Sequence, residues 1–549
     1  LPEPPRPSAR STPLLFLLFF AFVALSHLTL LRLPYFWDEG GYYIPAALDF
    51  YHHGWLIPHF TNAHPPLPNI VLGTLWHITG FHILATRLIV CAFAAAALLA
   101  VFRLTQSLLC TPAALAVTAL TAVYPIWFAQ STLAHADIFA AAFTLWAFAI
   151  YLPKRQEIGS RKQEVAGRGA AFAQPSQRSS LLPTSYFLLP VSCLFTLAAL
   201  SKETSILQPA TLAALELFLL WQHRRDRTAA RTHLRWIAAL TFPVLPLAAW
   251  FLYHRLATGF TFGNPEYLRY NATANLTLHH VLTSLYYRLL HLIWQRNIWL
   301  PILLALACLL LPRRKLSPTP YSLLPIPCLI LANWLAFSVL GGALLTRYLL
   351  PIYPLILLLC VDTWRSRTHW WPAFAAVTAA AFISAWWLNP PTSFAPEDNL
   401  TYRDMIVVHQ QAIDYVAQHY PEATVLTAWP VAADLYNPYL GYVTTPIHAF
   451  SIEDFTRPEV LKAAAEPDRY DTAIVFTTHF LEPSFRRYLL THPNTRRGRE
   501  FAATRDLSPQ EIALLLHGQV VQQFDRHGEW AAVLRFNRSY EARLILPNP

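Results

Sequence analysis

Apolar runs of roughly 15–22 residues recur from Leu14 to Leu388, each close to the length that crosses the hydrocarbon of a bilayer. The runs predict membrane-spanning helices at 13–33, 84–104, 113–128, 138–152, 184–200, 205–221, 236–256, 297–311, 322–340, 349–363 and 371–388, about eleven in all. The segment 66–82 differs, because it carries Pro66, Pro68, Asn69 and His77. Counted as a span, it would put the Lys/Arg-rich stretch 153–183 outside the membrane. As a helix lying along the interface it keeps every basic cluster on one side. The stretch 153–183 is rich in Gln, Ser, Arg and Gly and is expected to be disordered.

Beyond residue 389 the rhythm changes. Met405, Val408, Ile413 and Val416 keep helical spacing within 403–420. Thr424 to Trp429 and Thr472 to Thr477 are β-branched runs, and Trp530 to Phe536 follows the Gly528-Glu529 turn as a late strand. The expected organisation is therefore a cytoplasmic tail at 1–12 and a membrane domain at 13–389. Its first outer loop, with juxtamembrane helices, occupies 34–83. A soluble extracytoplasmic α/β domain follows at 390–549. That last domain has no Gly-rich phosphate loop or nucleophile motif, and its position suggests an outer-face lid or an acceptor-binding module.

Composition supports a polytopic α-helical membrane protein: of 549 residues, 55% are hydrophobic and 13% charged, against about 25% charged in soluble chains. The net charge of +10 could suggest nucleic acid, but its distribution argues against that. Basic residues sit in short clusters between apolar runs: Arg6 and Arg10; Lys154, Arg155, Arg161, Lys162 and Arg168; Arg224, Arg225 and Arg227; Arg313, Arg314 and Lys315; Arg365 and Arg367. This is the pattern of cytoplasmic loops, and it places the N-terminus inside and the C-terminal domain outside. The six cysteines lie in or beside apolar runs with no C-x-x-C spacing, so neither a disulfide framework nor a thiolate zinc site is indicated. The first apolar run lacks a small-residue cleavage site and reads as a retained helix. The chain opens on Leu rather than Met, so a start further upstream is expected.

The outer loop 34–83 contains no Lys or Arg, yet holds adjacent carboxylates in Trp37-Asp38-Glu39. Carboxylates beside lipid are costly and call for a reason. Asp38 suits a base in a surface reaction and equally suits a helix N-cap. The same outer side gathers His64, His135 and Asp137, Lys202 and Glu203, and Arg347 with Tyr348. Each has a plainer role: His64 in a Pro-rich turn, Asp137 as an N-cap, Lys202 and Arg347 as interfacial anchors, Lys202 and Glu203 as a local pair. His52, His53 and His59 fit no standard zinc spacing. Asp137 is the candidate metal ligand: it shares the outer side with Asp38, and two carboxylates there could hold a divalent cation that also binds a phosphate. Together the groups suit a transferase site, with a base for an acceptor hydroxyl and cations for a departing lipid phosphate.

The arrangement resembles the integral-membrane glycosyltransferases of the GT-C fold, specifically the protein O-mannosyltransferase and aminoarabinose transferase (ArnT-like) group. The residues that carry the likeness are Trp37-Asp38-Glu39, Gly54 to Phe60 with His64-Pro65-Pro66-Leu67, Ala129-Gln130-Ser131 through His135-Ala136-Asp137, Ser201-Lys202-Glu203, and Arg347 to Pro351. The resemblance implies a polyprenyl-phosphate-linked sugar donor, a protein or glycolipid acceptor, and transfer with inversion on the outer face of a bacterial plasma membrane. It implies Asp38 as the base with Glu39 in support, Asp137 as a metal or acceptor contact, and Lys202, Arg347 and Tyr348 at the lipid phosphate. His64, His135 and Glu203 would contact the acceptor or support the site. His279, His280, Arg288 and Arg296 match nothing in the family pattern. The competing class is a transporter or flippase, which predicts charges at span centres and often an internal repeat; here the charges cluster at span ends.

Overall fold

The structure, a computed structural model, describes residues 11–56, 64–167, 185–263, 277–314, 323–340, 343–390, 394–478 and 483–536. Expectations that fall on 1–10, His59, 168–183 and Gly341-Gly342 lie outside the described residues. The chain divides into two compact units. One comprises Leu1–Leu31 and Tyr42–Ala385; the other comprises Arg32–Gly41 and Trp386–Pro549.

The first unit is helical. Among the described residues, four of its helices are long and apolar enough to cross a membrane: Ile83–Leu108, Ala136–Arg155, Glu203–Gln222 and Arg227–Thr258. A bent pair, Leu278–Asn297 with Trp299–Leu309 at 95°, would make a fifth. Shorter apolar helices are Thr12–Ser26, Thr111–Val123, Tyr186–Ser201, Pro325–Val339 and Trp371–Ser384. Several runs read as one span are divided by proline: 113–128 becomes Thr111–Val123 and Pro125–Gln130, broken where Pro125 lacks the N–H a continuous helix requires. Small residues let the central helices approach. Ala94, Ala95 and Ala97 of Ile83–Leu108 are buried, and this helix packs against Ala136–Gly167.

Two findings modify the sequence reading, and a third, the juxtamembrane helix, agrees with it. The helix from Ala136 runs on to Gly167, so part of the stretch expected to be disordered is helical; Lys, Arg, Gln and Glu are good helix formers. Leu278–Ile293 is an amphipathic helix where no element was expected. The juxtamembrane segment forms Leu67–Thr79 against Ile44–His53. A Cβ on Gly73 would stand 2.8 Å from Phe50 Cδ1 and 3.0 Å from the Ala47 carbonyl oxygen, so glycine permits that close crossing.

Among the described residues, the second unit is built on five strands, β1 (Val425–Ala428), β2 (Ala449–Ile452), β3 (Thr472–Phe476), β4 (Gly518–Arg526) and β5 (Glu529–Phe536), in the order β2-β1-β3-β5-β4. β1 pairs in parallel with β2 and β3, while β5 runs antiparallel to β3 and β4. The β4–β5 hairpin turns on His527 and Gly528, both at positive φ as a two-residue primed turn demands. Helix Thr401–His419 covers β4 and β5 with Met405, Val408, Ile413 and Val416 buried.

That helix meets the hairpin through a buried acid. Asp404 accepts from Arg526 Nε at 2.5 Å and from His527 Nδ1 at 2.8 Å. Glu529 is buried nearby, and burial, reinforced by the Asp404 charge, pushes its carboxyl up to about 8. The unfolded chain ionises Glu529 near its ordinary value of 4.5, while the folded unit holds the proton to about 8. Stability therefore falls as pH rises through that window and is fully present only below it. Thermal melts of the full chain should show Glu529→Gln losing less stability than wild type between pH 5 and pH 8.5. Parallel losses in the two proteins would contradict this.

Candidate active site

Three backbone devices bring the chemistry of the helical unit together. Asp137 lies in the first turn of Ala136–Gly167, where the N-terminal N–H groups favour a carboxylate. Lys202 occupies an extended residue (φ −150, ψ 121) between Ser185–Ser201 and the 3-10 turn Glu203–Ile206. Arg347 and Tyr348 sit in a second 3-10 turn, Thr346–Leu349.

Asp137, Lys202 and Arg347 are all buried. Lys202 Nζ donates to Asp137 Oδ1 at 2.5 Å, and Arg347 Nε lies 3.5 Å from Asp137 Oδ2. The same ammonium stands 3.9 Å from the centroid of the Tyr348 ring, whose π face attracts a cation. Burial pushes the Lys202 ammonium below its ordinary value, with Asp137 opposing the shift. Two cations share one carboxylate, so the trio carries a net positive charge. These residues, with Gln208, Phe337 and Pro351, line a small cavity.

His135 Nδ1 lies 2.9 Å from Gln130 Oε1 and 3.3 Å from Arg347 Nη1. Burial, then the charges of Arg347, Lys202, Arg87 and His64, drive its pKa well below the ordinary range, so His135 is neutral at pH 7. His64 pairs with Glu203, Nδ1 to Oε2 at 3.0 Å. The Tyr43 ring links this pair to the trio: it stacks on His64 at 5.8 Å and tilts against His135 at 5.8 Å. Of the residues singled out in the sequence, the helical unit thus assembles His64, His135, Asp137, Lys202, Glu203, Arg347 and Tyr348.

Asp38 and Glu39 are carried on the other unit, within Arg32–Gly41. They do not open an ordinary α-helix: Glu39–Tyr43 is a π-helical turn leading into Ile44–His53. Glu39 is fully buried, and its Oε2 accepts the Phe36 N–H at 2.8 Å, tying the loop to itself. Asp38 is half-buried. The two adjacent acids therefore sit in different environments, one bracing the backbone and the other partly open.

Several contributors escaped the sequence reading. Arg288 reaches from Leu278–Ile293 to donate to the Leu345 carbonyl at 2.5 Å and the Ala343 carbonyl at 2.8 Å, bracing the approach to Arg347. Gln208 and Asn333 exchange amide hydrogen bonds of 2.7 and 3.0 Å beside the cavity. Arg87 donates to the Thr132 carbonyl at 2.7 Å, holding the turn before His135. An ionisable residue inside an apolar run was the available signal for Arg87; Tyr43 and Gln208 carried none.

The residues fit a divalent metal at Asp137 poorly. Its two oxygens face cations, and among the described residues no three His, Cys, Asp or Glu side chains gather as ligands. A further double positive charge would be repelled by Lys202 and Arg347.

Residues 5–434 match the model of the Alg9-like mannosyltransferase family. Among solved structures, the fold is similar to ArnT from Cupriavidus metallidurans bound to undecaprenyl phosphate, with TM-score 0.51, 14% identity, and 96% of this chain and 98% of that one covered. The apo form of that ArnT matches with TM-score 0.52 and 13% identity over 96% and 98% of the two chains. The Archaeoglobus fulgidus oligosaccharyltransferase, in complex with Zn and sulfate, matches at TM-score 0.46 and 11% identity over 94% and 72%. No curated protein sequence matches significantly.

Removing Asp137 would leave two buried cations without their shared carboxylate. Asp137→Ala should lower stability by about 3–5 kcal/mol, read as a drop in thermal melting in detergent. Adding Lys202→Met to that variant should recover part of the loss. An Asp137→Ala protein that melts with wild type would contradict the shared-carboxylate geometry.

Proposed function

The chain belongs to the Alg9-like mannosyltransferase family, and we propose that it moves a sugar from a polyprenyl-phosphate donor to an acceptor hydroxyl on the extracytoplasmic membrane face, with inversion. It is a GT-C-type glycosyltransferase and an integral membrane protein, which removes the transporter alternative. The GT-C and ArnT-like resemblance read from the sequence agrees with this family and with the ArnT fold.

The observation that carries the donor assignment is the buried trio Asp137, Lys202 and Arg347. A net-positive group with a planar guanidinium suits a phosphate anion, which accepts parallel hydrogen bonds. Undecaprenyl phosphate, the ligand bound to the ArnT of similar fold, carries a phosphate group. The carboxylate of Asp38 takes the acceptor hydroxyl proton as the oxygen attacks the anomeric carbon. The bond from that carbon to the phosphate oxygen breaks, and its electron pair leaves on the phosphate. Lys202 and Arg347 stabilise this growing charge, while Tyr348 keeps the ammonium in place. His135 and the His64–Glu203 pair support the cations. Asp137 holds the two cations at fixed spacing, and no step passes through a metal. Mannose is the first sugar to test, on the family's own chemistry.

Two outcomes follow. Asp38→Asn should abolish at least about 99% of sugar transfer, the scale expected when a general base is lost, while melting with wild type; full transfer by this variant would contradict the base assignment. Arg347→Ala should raise the apparent KM for the lipid donor more than that for the acceptor, and an unchanged donor KM would exclude a phosphate role.

A further inference from the structure

Within its own unit, the loop around Asp38 packs against the C-terminal sheet domain. The Tyr35 N–H donates to the Leu440 carbonyl at 3.0 Å. A Cβ built on Gly40 would stand 3.3 Å from Leu440 Cδ1, and one on Gly41 would stand 3.0 Å from Trp429 Cζ2. The Trp37 ring meets Trp429 edge-on at 4.8 Å, and Phe36 meets Tyr402 at 5.7 Å. Inside the loop, the Gly41 N–H donates to the Trp37 carbonyl at 3.0 Å, and Trp37 takes φ 44. A tryptophan in that left-handed region is strained and persists only when its surroundings fix it. Here Trp429, just after β1, meets the Trp37 ring itself, while Tyr402 in helix Thr401–His419 and Leu440 in the turn Pro438–Leu440 hold its neighbours Phe36, Tyr35 and Gly40.

We infer that Trp429 and Leu440 are positioning residues for Asp38, so that the C-terminal unit sets the geometry of the reacting carboxylate. The inference rests on the proposed role of Asp38 as base, and it assigns that unit a task beyond a lid or an acceptor module. The physical content is a close-packed wall. After Asp38, two consecutive glycines press against Leu440 and Trp429, and before it the Trp37 ring meets Trp429, which leaves the backbone either side little room to shift. Glu39 closes the same loop from within by accepting the Phe36 N–H.

A size exchange tests the contact. Gly41 lies in a helical turn without positive φ, so Gly41→Ala changes packing against Trp429 rather than backbone freedom. Trp429→Phe deletes the ring atom that the new methyl would strike. The four proteins (wild type, each single variant and the double variant) are compared as full chains in membrane vesicles supplied with native membrane acceptors. Release of polyprenyl phosphate from polyprenyl-phosphate mannose gives kcat and KM, with thermal melting as the folding control. Gly41→Ala should lower kcat by about tenfold or more, since small displacements of a reacting group are costly, with donor KM within about twofold. The double variant should regain most of that kcat, a coupling expected only of residues in contact. Wild-type kcat in Gly41→Ala, or a folded double variant no better than Gly41→Ala, overturns the inference. Asp38→Asn is run alongside: full turnover there overturns the base assignment and this inference with it. Loss in Asp38→Asn with an unaffected Gly41→Ala overturns this inference alone.

Discussion

The sharing of Asp137 between Lys202 and Arg347 is the constraint on which the helical unit turns. Burying either cation alone would be expensive, and the carboxylate offsets that cost only if both reach it. That requirement fixes three chain segments distant in sequence: the head of Ala136–Gly167, the turn before Glu203, and the 3-10 turn at Thr346–Leu349. Arg87, Arg288 and the Gln208–Asn333 amide pair then brace those segments through backbone carbonyls and each other. Two cations against one carboxylate leave the trio net positive.

The second unit works by the opposite means. Its contribution near Asp38 is steric, from Trp429, Leu440 and Tyr402 against a loop with two glycines. The Asp38 carboxylate lies on a loop of the sheet-containing unit, and the two cations lie at helix ends of the helical unit. Asp38 is half-buried, whereas Lys202 and Arg347 are buried, where their field is less damped by water.

Much of this was legible in the sequence, for physical reasons. Long apolar runs with ionisable residues at their ends are strong signals, and they singled out Asp38, Asp137, Lys202 and Arg347 as candidates. β1, β3, β5 and the helix over Thr401–His419 followed from β-branched runs and helical spacing. What escaped was either weak in local pattern or non-local in cause. β2 is half-exposed, and β4 is polar along an edge with a bulge between Val520 and Gln522, so neither shows an apolar run. Leu278–Ile293 was hidden because His279, His280 and Arg288 break its apolar character. That Arg32–Gly41 groups with a domain 350 residues later is set by contacts to Trp429 and Leu440, which no local spacing encodes.

The central claim is inverting transfer from a polyprenyl-phosphate sugar, and its most direct test is the stereochemistry of a single turnover. Purified protein would be given polyprenyl-phosphate β-mannose labelled with carbon-13 at the anomeric position, together with native membrane acceptors, and the product read by NMR. An α-linked product with one polyprenyl phosphate released per sugar is the predicted result. A β-linked product, or transfer only from a nucleotide sugar, would contradict the account.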